Sequence, residues 1–395
     1  MPLRRVPPVY APVPARALCA AAWAARSRSG PPTESDLAPL RAHYPTRGII
    51  ITDSGTSALT LALRASLTLP ERGGRGRRWV ALPAYCCPDV ATAAVGAGFR
   101  IILYDVDPAT LGPDPVSLRR ALERGATHVV ATHLFGRLVD VPAVRALADT
   151  YGATVIEDAA QHAGGSWQGV RGGALASWSV LSFGRGKGLN AGGGGALLYD
   201  RGLPAPVPPP SLAPWWRSAR VVLTASAAEL LAHPSAYWLP AAIPALHLGD
   251  TVYHPPRPVT GPAAANLALL AAALTSEPRV LAERQRIDAW YRHHLEDRPD
   301  VILAPQPLAA QSGALRFPVR LPLDFAKRLV RLGVARSYPR TLAEYPALAG
   351  HIEGSHDPLA GAFSLARSLH TLPTHALMSD AERGALVQAI RTLSA

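Results

Sequence analysis

The chain has 395 residues, 48% of them hydrophobic and 17% charged. That balance excludes a disordered or fibrous protein and leaves room for two domains with a sizeable core. The formal charge of +12 suggests nucleic acid, but the arginines are scattered without a basic stripe interleaved with aromatics, so no nucleic-acid partner is expected.

Residues 1–35, rich in Pro, Ala and Arg, read as a loosely packed N-terminal arm. Arg4-Arg5 stand before a short apolar run at 17–25, and prolines interrupt the approach, so no signal peptide is expected. A short helix is expected over 36–43. Gly48-Ile49-Ile50-Ile51-Thr52 reads as a buried strand running through Asp53-Ser54-Gly55-Thr56-Ser57 into a helix over 58–67. Strand, small-residue turn and helix make a phosphate cradle; Ser and Thr in such places also serve simply as N-caps. Residues 72–78 are a Gly/Arg loop. Strands follow at 79–82, 100–104, 128–132 and 154–158, alternating with helices at 90–97, 115–124 and 141–151. This alternation describes an α/β fold with a parallel sheet covered by helices. Ligands gather at the carboxyl ends of such strands, where Ser54 to Ser57, Tyr85, His133 and Asp158 stand.

A strand at 178–183, a glycine-rich loop holding Lys187 and a short strand at 196–199 come next. Residues 201–215 are a proline-rich linker, and 216–260 show no readable pattern. The apolar run at 221–248 contains Glu229, His233 and several prolines, a poor membrane span. Helices are expected at 261–274 and 278–295. After Pro299 a smaller α/β domain begins, with strands at 315–321 and 335–338 and helices at 324–332, 364–369 and 381–393. The expected organisation is an arm (1–35), a large ligand-binding domain (36–260, with 200–256 atypical), and interdomain helices with a small domain (261–395). Cys19, Cys86 and Cys87 form neither a disulfide framework nor a zinc spacing, which fits a reducing, cytoplasmic setting.

Lys187 and Lys327 are the only lysines in the chain. An amine can lose its proton and attack a carbonyl, which a guanidinium cannot do. Lys327 lies in an amphipathic run and reads as a surface residue. Lys187 lies among glycines with little charge nearby and reads as chemical. Pyridoxal phosphate needs such a lysine, a phosphate cradle, and a carboxylate facing its ring nitrogen. Asp158 ends a buried apolar strand and can be that carboxylate; it can equally cap the turn at Ala159-Ala160.

In order along the chain stand Ser54-Gly55-Thr56-Ser57-Ala58-Leu59, Pro83-Ala84-Tyr85, Asp105-Val106-Asp107-Pro108, His133-Leu134-Phe135-Gly136, Ile156-Glu157-Asp158-Ala159-Ala160-Gln161, Ser182-Phe183, Lys187 and Gly194-Gly195-Ala196. Their order and spacing resemble the DegT/DnrJ/EryC1/StrS aminotransferases, sugar aminotransferases of pyridoxal phosphate fold type I. That fold has a large domain on a mixed, mostly parallel sheet and a smaller C-terminal α/β domain. The resemblance runs from about residue 48 to 200 and continues more weakly beyond. It implies that Lys187 binds the cofactor aldehyde and later shuttles a proton, and that Asp158 pairs with the ring nitrogen. It places Gln161 near the phenolic oxygen, and Gly55, Thr56 and Ser182 on the phosphate with Ser57 close by. It further implies a homodimer that moves an amino group from glutamate to a keto-sugar, often nucleotide-linked, or to a related cyclic polyol.

The chain departs from the family in several places. The residue that stacks on the cofactor ring, two after Tyr85, is Cys87, so either Tyr85 takes that place or the ring is held less firmly. Gly193 stands where an acidic residue is usual, and Pro255 where a cross-subunit Asn is usual. These changes leave elimination or dehydration on the same cofactor as the rival reaction, and a non-catalytic binding or regulatory protein as the rival class. His133 reads as a structural group, as does the buried pair Cys86-Cys87. His162, next to Gln161, is a further candidate for lining the pocket.

Overall fold

A computed structural model describes residues 4–27, 30–68, 78–209, 213–243, 249, 251–354 and 357–393. The Gly/Arg loop expected at 72–78 lies outside them except for Arg78. Two helices come first, α1 (Ala15–Ser27) and α2 (Glu34–His43). Strands and helices then alternate: β1 (Arg47–Thr52), α3 (Gly55–Ser66), β2 (Trp79–Pro83), α4 (Pro88–Gly96), β3 (Arg100–Tyr104), α5 (Pro115–Glu123), β4 (His128–Thr132), α6 (Val141–Asp149) and β5 (Thr154–Asp158). A small ribbon, β6 (Ser166–Trp167) and β7 (Val170–Arg171), precedes β8 (Trp178–Ser182) and β9 (Gly195–Asp200).

The segment that resisted reading holds α7 (Trp215–Ala232) and α8 (Trp238–Ala241), and leads to the long α9 (Ala264–His294). β10 (Ala310–Gln311) joins the small ribbon through β6. The remaining chain forms β11 (Phe317–Arg320), α10 (Leu323–Arg328), β12 (Ala335–Arg336), α11 (Ala360–Ser368), β13 (Leu369–Leu372) and α12 (Asp380–Arg391). Its strands make a second sheet in the order β11-β13-β12.

The seven-stranded sheet has the order β1-β9-β8-β5-β4-β2-β3. Pairing is parallel from β8 through to β3. β9 lies antiparallel to both neighbours, so β1 and β8 share the common direction and β9 alone opposes it. A wholly parallel sheet is therefore not what forms. After β8 the chain turns back through the Lys187 loop instead of crossing over through a helix, and a direct return is antiparallel. Six strands thus bring their carboxyl ends to one edge, and β9 starts there.

Near-continuous burial along β1 to β5 matches a sheet covered on both faces. Side chains alternate between the faces. Ile50, Leu82, Ile101, Val130, Ile156 and Val180 pack with α3 and α4. Ile49, Ile51, Leu181 and Leu198 pack with α1 and the first half of α9. Ile102, Val129 and Val155 meet α5 and α6. Each such side chain contributes about 1.5–3 kcal/mol, which makes the strand ends a rigid platform.

Two elements differ from expectation. The N-terminal arm is not loose: Ala17, Ala21 and Ala24 are buried on one face of α1, and Val6, Ala11 and Val13 are buried ahead of it. Alanines at this spacing let α1 lie close against the alanine-rich start of α9, while Trp23 stays 73% exposed. The two helices expected at 261–274 and 278–295 are one, with Pro278 inside it. Proline removes one intrahelical bond, yet the flanking turns are held by burial of Leu274 and Ile287 and by an ion pair from Glu277 to Arg171.

Candidate active site

The strand–turn–helix at β1 and α3 forms as the small residues dictate. Ser54 is the N-cap of α3, its Oγ accepting from the Ser57 amide at 3.1 Å. The N-cap reading holds, and it leaves the cradle reading open, since a capped helix still has further amides at its N-terminus. Ser182, the last residue of β8, pairs with Gly195, as does Thr52 of β1. Gly55 is pressed against Ser182: a Cβ at Gly55 would lie 2.7 Å from the Cβ and 3.0 Å from the Oγ of Ser182. Gly55, Thr56, Ser57 and Ser182 therefore share one corner, with hydroxyls and helix amides suited to an anion.

The Lys187 loop is bound at both ends. Phe183 donates to the Gly194 carbonyl at 2.9 Å and its own carbonyl accepts from Ala191 at 2.9 Å. Asn266, at the start of α9, donates to the Ala191 carbonyl at 2.8 Å. Between these ties Lys187 is half-buried, its amide donating to the Gly184 carbonyl at 3.1 Å. Gly193 has φ +148°, a conformation that L side chains rarely adopt, which accounts for glycine at that position.

Asp158 is 6% exposed at the end of β5. Burial pushes its carboxyl above the ordinary value; the Lys187 charge and the Ala160 amide, 3.1 Å from Oδ1, pull against this. Asp158 therefore does serve the turn at Ala160 and also stands within the field of Lys187. That field also reaches Cys87, whose thiol burial pushes up to about 12. Cys86 is buried and donates to the Pro83 carbonyl at 3.3 Å, a packing role.

Glu157, one residue before Asp158, is fully buried. The Val139 amide donates to His133 Nδ1 at 3.1 Å, so that nitrogen is the acceptor and the ring proton sits on Nε2, 2.9 Å from Glu157 Oε1. Glu157 also accepts from the Gly173 amide at 2.6 Å, the Leu175 amide at 2.9 Å and the Ser179 hydroxyl at 2.8 Å. Burial works against its ionisation, but these bonds outweigh it and hold the carboxyl below its ordinary value. His133 is structural, as its sequence position indicated. His162 is buried too, its Nδ1 accepting from Gly164 at 3.2 Å, and a Cβ at Gly172 would lie 2.8 Å from its own Cβ.

Gln161 accepts from the Phe135 amide at 3.1 Å and donates to the Tyr338 hydroxyl at 2.6 Å. Tyr85 is fully buried, edge-on to Tyr338 with ring centroids 5.5 Å apart, and its hydroxyl has no partner among the described residues. Sequence reading did not single out Tyr338, Phe135, Arg316 or Tyr237 as site residues. Each comes from a separate loop; Phe135 lies in one of the quoted motifs, and Arg316 and Tyr338 bound a stretch where the resemblance is weaker.

Residues 20–203 match the model of the DegT/DnrJ/EryC1/StrS aminotransferase family. The chain is 34% identical over 145 residues to the L-glutamine:2-deoxy-scyllo-inosose aminotransferase of Streptomyces paromomycinus, covering 37% of this chain and 33% of that protein. It is 32% identical over 161 residues to the 3-amino-5-hydroxybenzoate synthase of Amycolatopsis mediterranei, covering 41% and 40%. The match thus spans about a third to two-fifths of these relatives. Across the whole chain the fold resembles that of AtS13 from Actinomadura melliaura, with TM-score 0.75, 23% identity and 99% of each chain covered.

Proposed function

We propose, from the match of residues 20–203 to the DegT/DnrJ/EryC1/StrS aminotransferase family model, that the chain is a member of that family and a pyridoxal phosphate-dependent aminotransferase. The supporting observation is the convergence, at one sheet edge, of a half-buried amine (Lys187), a buried carboxylate within its field (Asp158) and an anion corner against Gly55 and Ser182. The proposed acceptor is a keto-sugar, nucleotide-linked or free, or a related cyclic polyol, and the donor is glutamate or glutamine. The working form is a homodimer. Residues 36–260 would carry the cofactor and 261–395 the smaller domain.

These residues fit the cofactor. Glycine at position 55 brings the start of α3 closer to Ser182 than a side chain would allow, and Asp158 stands buried within the field of Lys187. Pyridoxal phosphate would supply an aldehyde for the amine and a ring that withdraws electrons. Gly55, Thr56, Ser57 and Ser182 would hold the phosphate, and Asp158 would keep a proton on the ring nitrogen. Gln161 spends one amide hydrogen on Tyr338 and keeps a second for the phenolic oxygen. Tyr85, edge-on to Tyr338, would back the ring site, and Cys87, within the field of Lys187, stands where the resemblance implies a stacking side chain. The Lys187 amine would take the proton from the donor carbon and later return it to the acceptor carbon.

The test is to add pyridoxal phosphate, reduce with borohydride and map the modified peptide, then follow 2-oxoglutarate formation with glutamate and a keto-sugar panel. A reduced adduct on Lys187, absent in Lys187→Ala, supports the proposal. Folded protein left unmodified at Lys187 would overturn it.

A further inference from the structure

Helix α7 turns its apolar side outward. Ser218 and Ala225 are buried, and the Ser218 Oγ accepts from the Ala265 amide of α9 at 3.4 Å, which fixes the face turned inward. The outward stripe, at steps of three and four, is Trp216, Ala219, Leu223, Ala227 and Leu230. Leu223 is 71% and Leu230 77% exposed. A surface helix ordinarily has the reverse arrangement, with charged residues out and apolar ones in. Helix α1 packs against both α7 and the first half of α9, and its outward Trp23 is exposed as well. Two such helices side by side present a broad apolar face, and a contiguous apolar surface marks a docking site.

Charge decides what docks there. The two helices hold four arginines, Arg16, Arg26, Arg217 and Arg220, against one acid, Glu229. Glu229 is turned inward, accepting from the Tyr10 hydroxyl and from the Val13 amide, the latter at 3.1 Å. Arg16, Arg26 and Arg220 are exposed, with no ion-pair partner among the described residues. Arg217 lies over the Trp216 ring, 5.6 Å from its centroid. A second copy of this face would bring arginines with no acid to meet them, so pairing of the chain with itself gains no charge complement. An anionic lipid surface answers both features: it neutralises the arginines and takes up tryptophan and leucine at the headgroup boundary. No helix among the described residues is long and apolar enough to cross a membrane, so α7 would lie along the surface.

We infer that the outward face of α1 and α7 docks on a membrane surface rich in anionic lipid. A Cβ at Gly192, in the lysine loop, would lie 3.1 Å from Val221 of α7. Docking therefore sets that loop one helix away from the lipid. The inference is independent of the aminotransferase reading.

The test is co-sedimentation of the full chain with vesicles of equal phosphatidylglycerol and phosphatidylcholine, and with vesicles of phosphatidylcholine alone. The unaltered protein binds the anionic vesicles at least tenfold more tightly, and binding falls as salt rises from about 0.1 M to about 0.5 M. Leu223→Gln combined with Leu230→Gln weakens binding at least tenfold, and Arg220→Glu weakens it severalfold. If the doubly substituted protein does not fold, Arg220→Glu carries the comparison. Folded protein that ignores the anionic vesicles overturns the inference, as does equal binding by the parent and the folded double variant. A parent that stays off the vesicles but forms, by sedimentation velocity, an oligomer that the double variant lacks gives the face to a second copy and overturns it too.

Discussion

Gln161 and Tyr338 are joined by a 2.6 Å hydrogen bond across 177 positions of chain. The same amide accepts from Phe135, so one side chain ties the turn after β5, the loop after β4 and the smaller sheet together. Gln161→Leu would leave the Phe135 amide buried and unpaired. The expected cost is about 1–3 kcal/mol, read as a lower urea midpoint. Tyr338→Phe removes only the hydroxyl and costs about 1 kcal/mol. An unchanged midpoint in Gln161→Leu would show that the amide does not hold these elements.

Asp158 carries a stability cost near neutral pH. Its folded-state value is raised, so the folded protein holds that proton more tightly than the unfolded chain does. The stability this gives is present at low pH and lost as pH rises through the folded value. Near neutral pH the ionised group therefore weighs against the cofactor-free fold. Asp158→Asn keeps an acceptor for Ala160 and removes the charge. Its cofactor-free melting temperature is expected to exceed that of the parent at pH 8, with the gap closing below about pH 4. Amine transfer is expected to fall by roughly 10²-fold or more. A variant less stable than the parent at pH 8 would contradict this account.

At Gly55 the added methyl has nowhere to go, since its nearest neighbour is 2.7 Å away on Ser182. Gly55→Ala is expected to displace Ser182 or the start of α3 and to spoil the anion corner. Spectroscopic titration with pyridoxal phosphate should show affinity down more than tenfold, while pyridoxal, which lacks the phosphate, is bound about equally by both proteins. Equal phosphate-dependent affinity in the two would remove the corner from the cofactor site.

Stability should also fall on the acid side through His128. Burial lowers its ring to about 4, and the ring sits edge-on to Phe99 at 4.8 Å with Nε2 unpartnered. The unfolded ring titrates near 6.5. Stability from the neutral ring is therefore complete above that value and is lost as pH falls towards 4, roughly 3 kcal/mol in all. In His128→Phe this share of the slope should vanish, so that its melting temperature changes less between pH 7 and pH 5. Parallel slopes in the two proteins would refute it.

The candidate site of this chain is legible in the sequence where it is local. Gly48 to Ser57 is one continuous strand, turn and helix start, and Asp158 directly ends an apolar run, so period and punctuation revealed both. Lys187 stood out because arginine fills nearly every other cationic position. What sequence could not supply came from distance or from weak patterns. Tyr338 and Arg316 reach the site through tertiary packing, more than 100 positions from Lys187. The reversed direction of β9 leaves no trace in a run that is buried on both faces. α1 hides because alanines give a helix little amphipathic contrast, and Pro278, expected to open a second helix, lies inside α9 because packing on both sides carries the helix through it.

The segment before α1 has one more consequence. Arg4 forms an ion pair with Glu382 at 2.6 Å, the Val6 amide donates to the Arg331 carbonyl, and His375 bonds the Pro7 carbonyl at 2.8 Å. Farther along, the Ala11 carbonyl accepts from Asn190, inside the lysine loop. These contacts span up to 378 positions. Closing such long loops is slow, and a ribosome releases residue 382 long after residue 4. The strands of the larger sheet are all made by residue 200, but the segment that bonds Asn190 of the lysine loop makes its other contacts with the smaller sheet's end of the chain, which is made later. A newly made chain is therefore expected to pass through a stage in which the sheet edge beside Lys187 is built but uncovered.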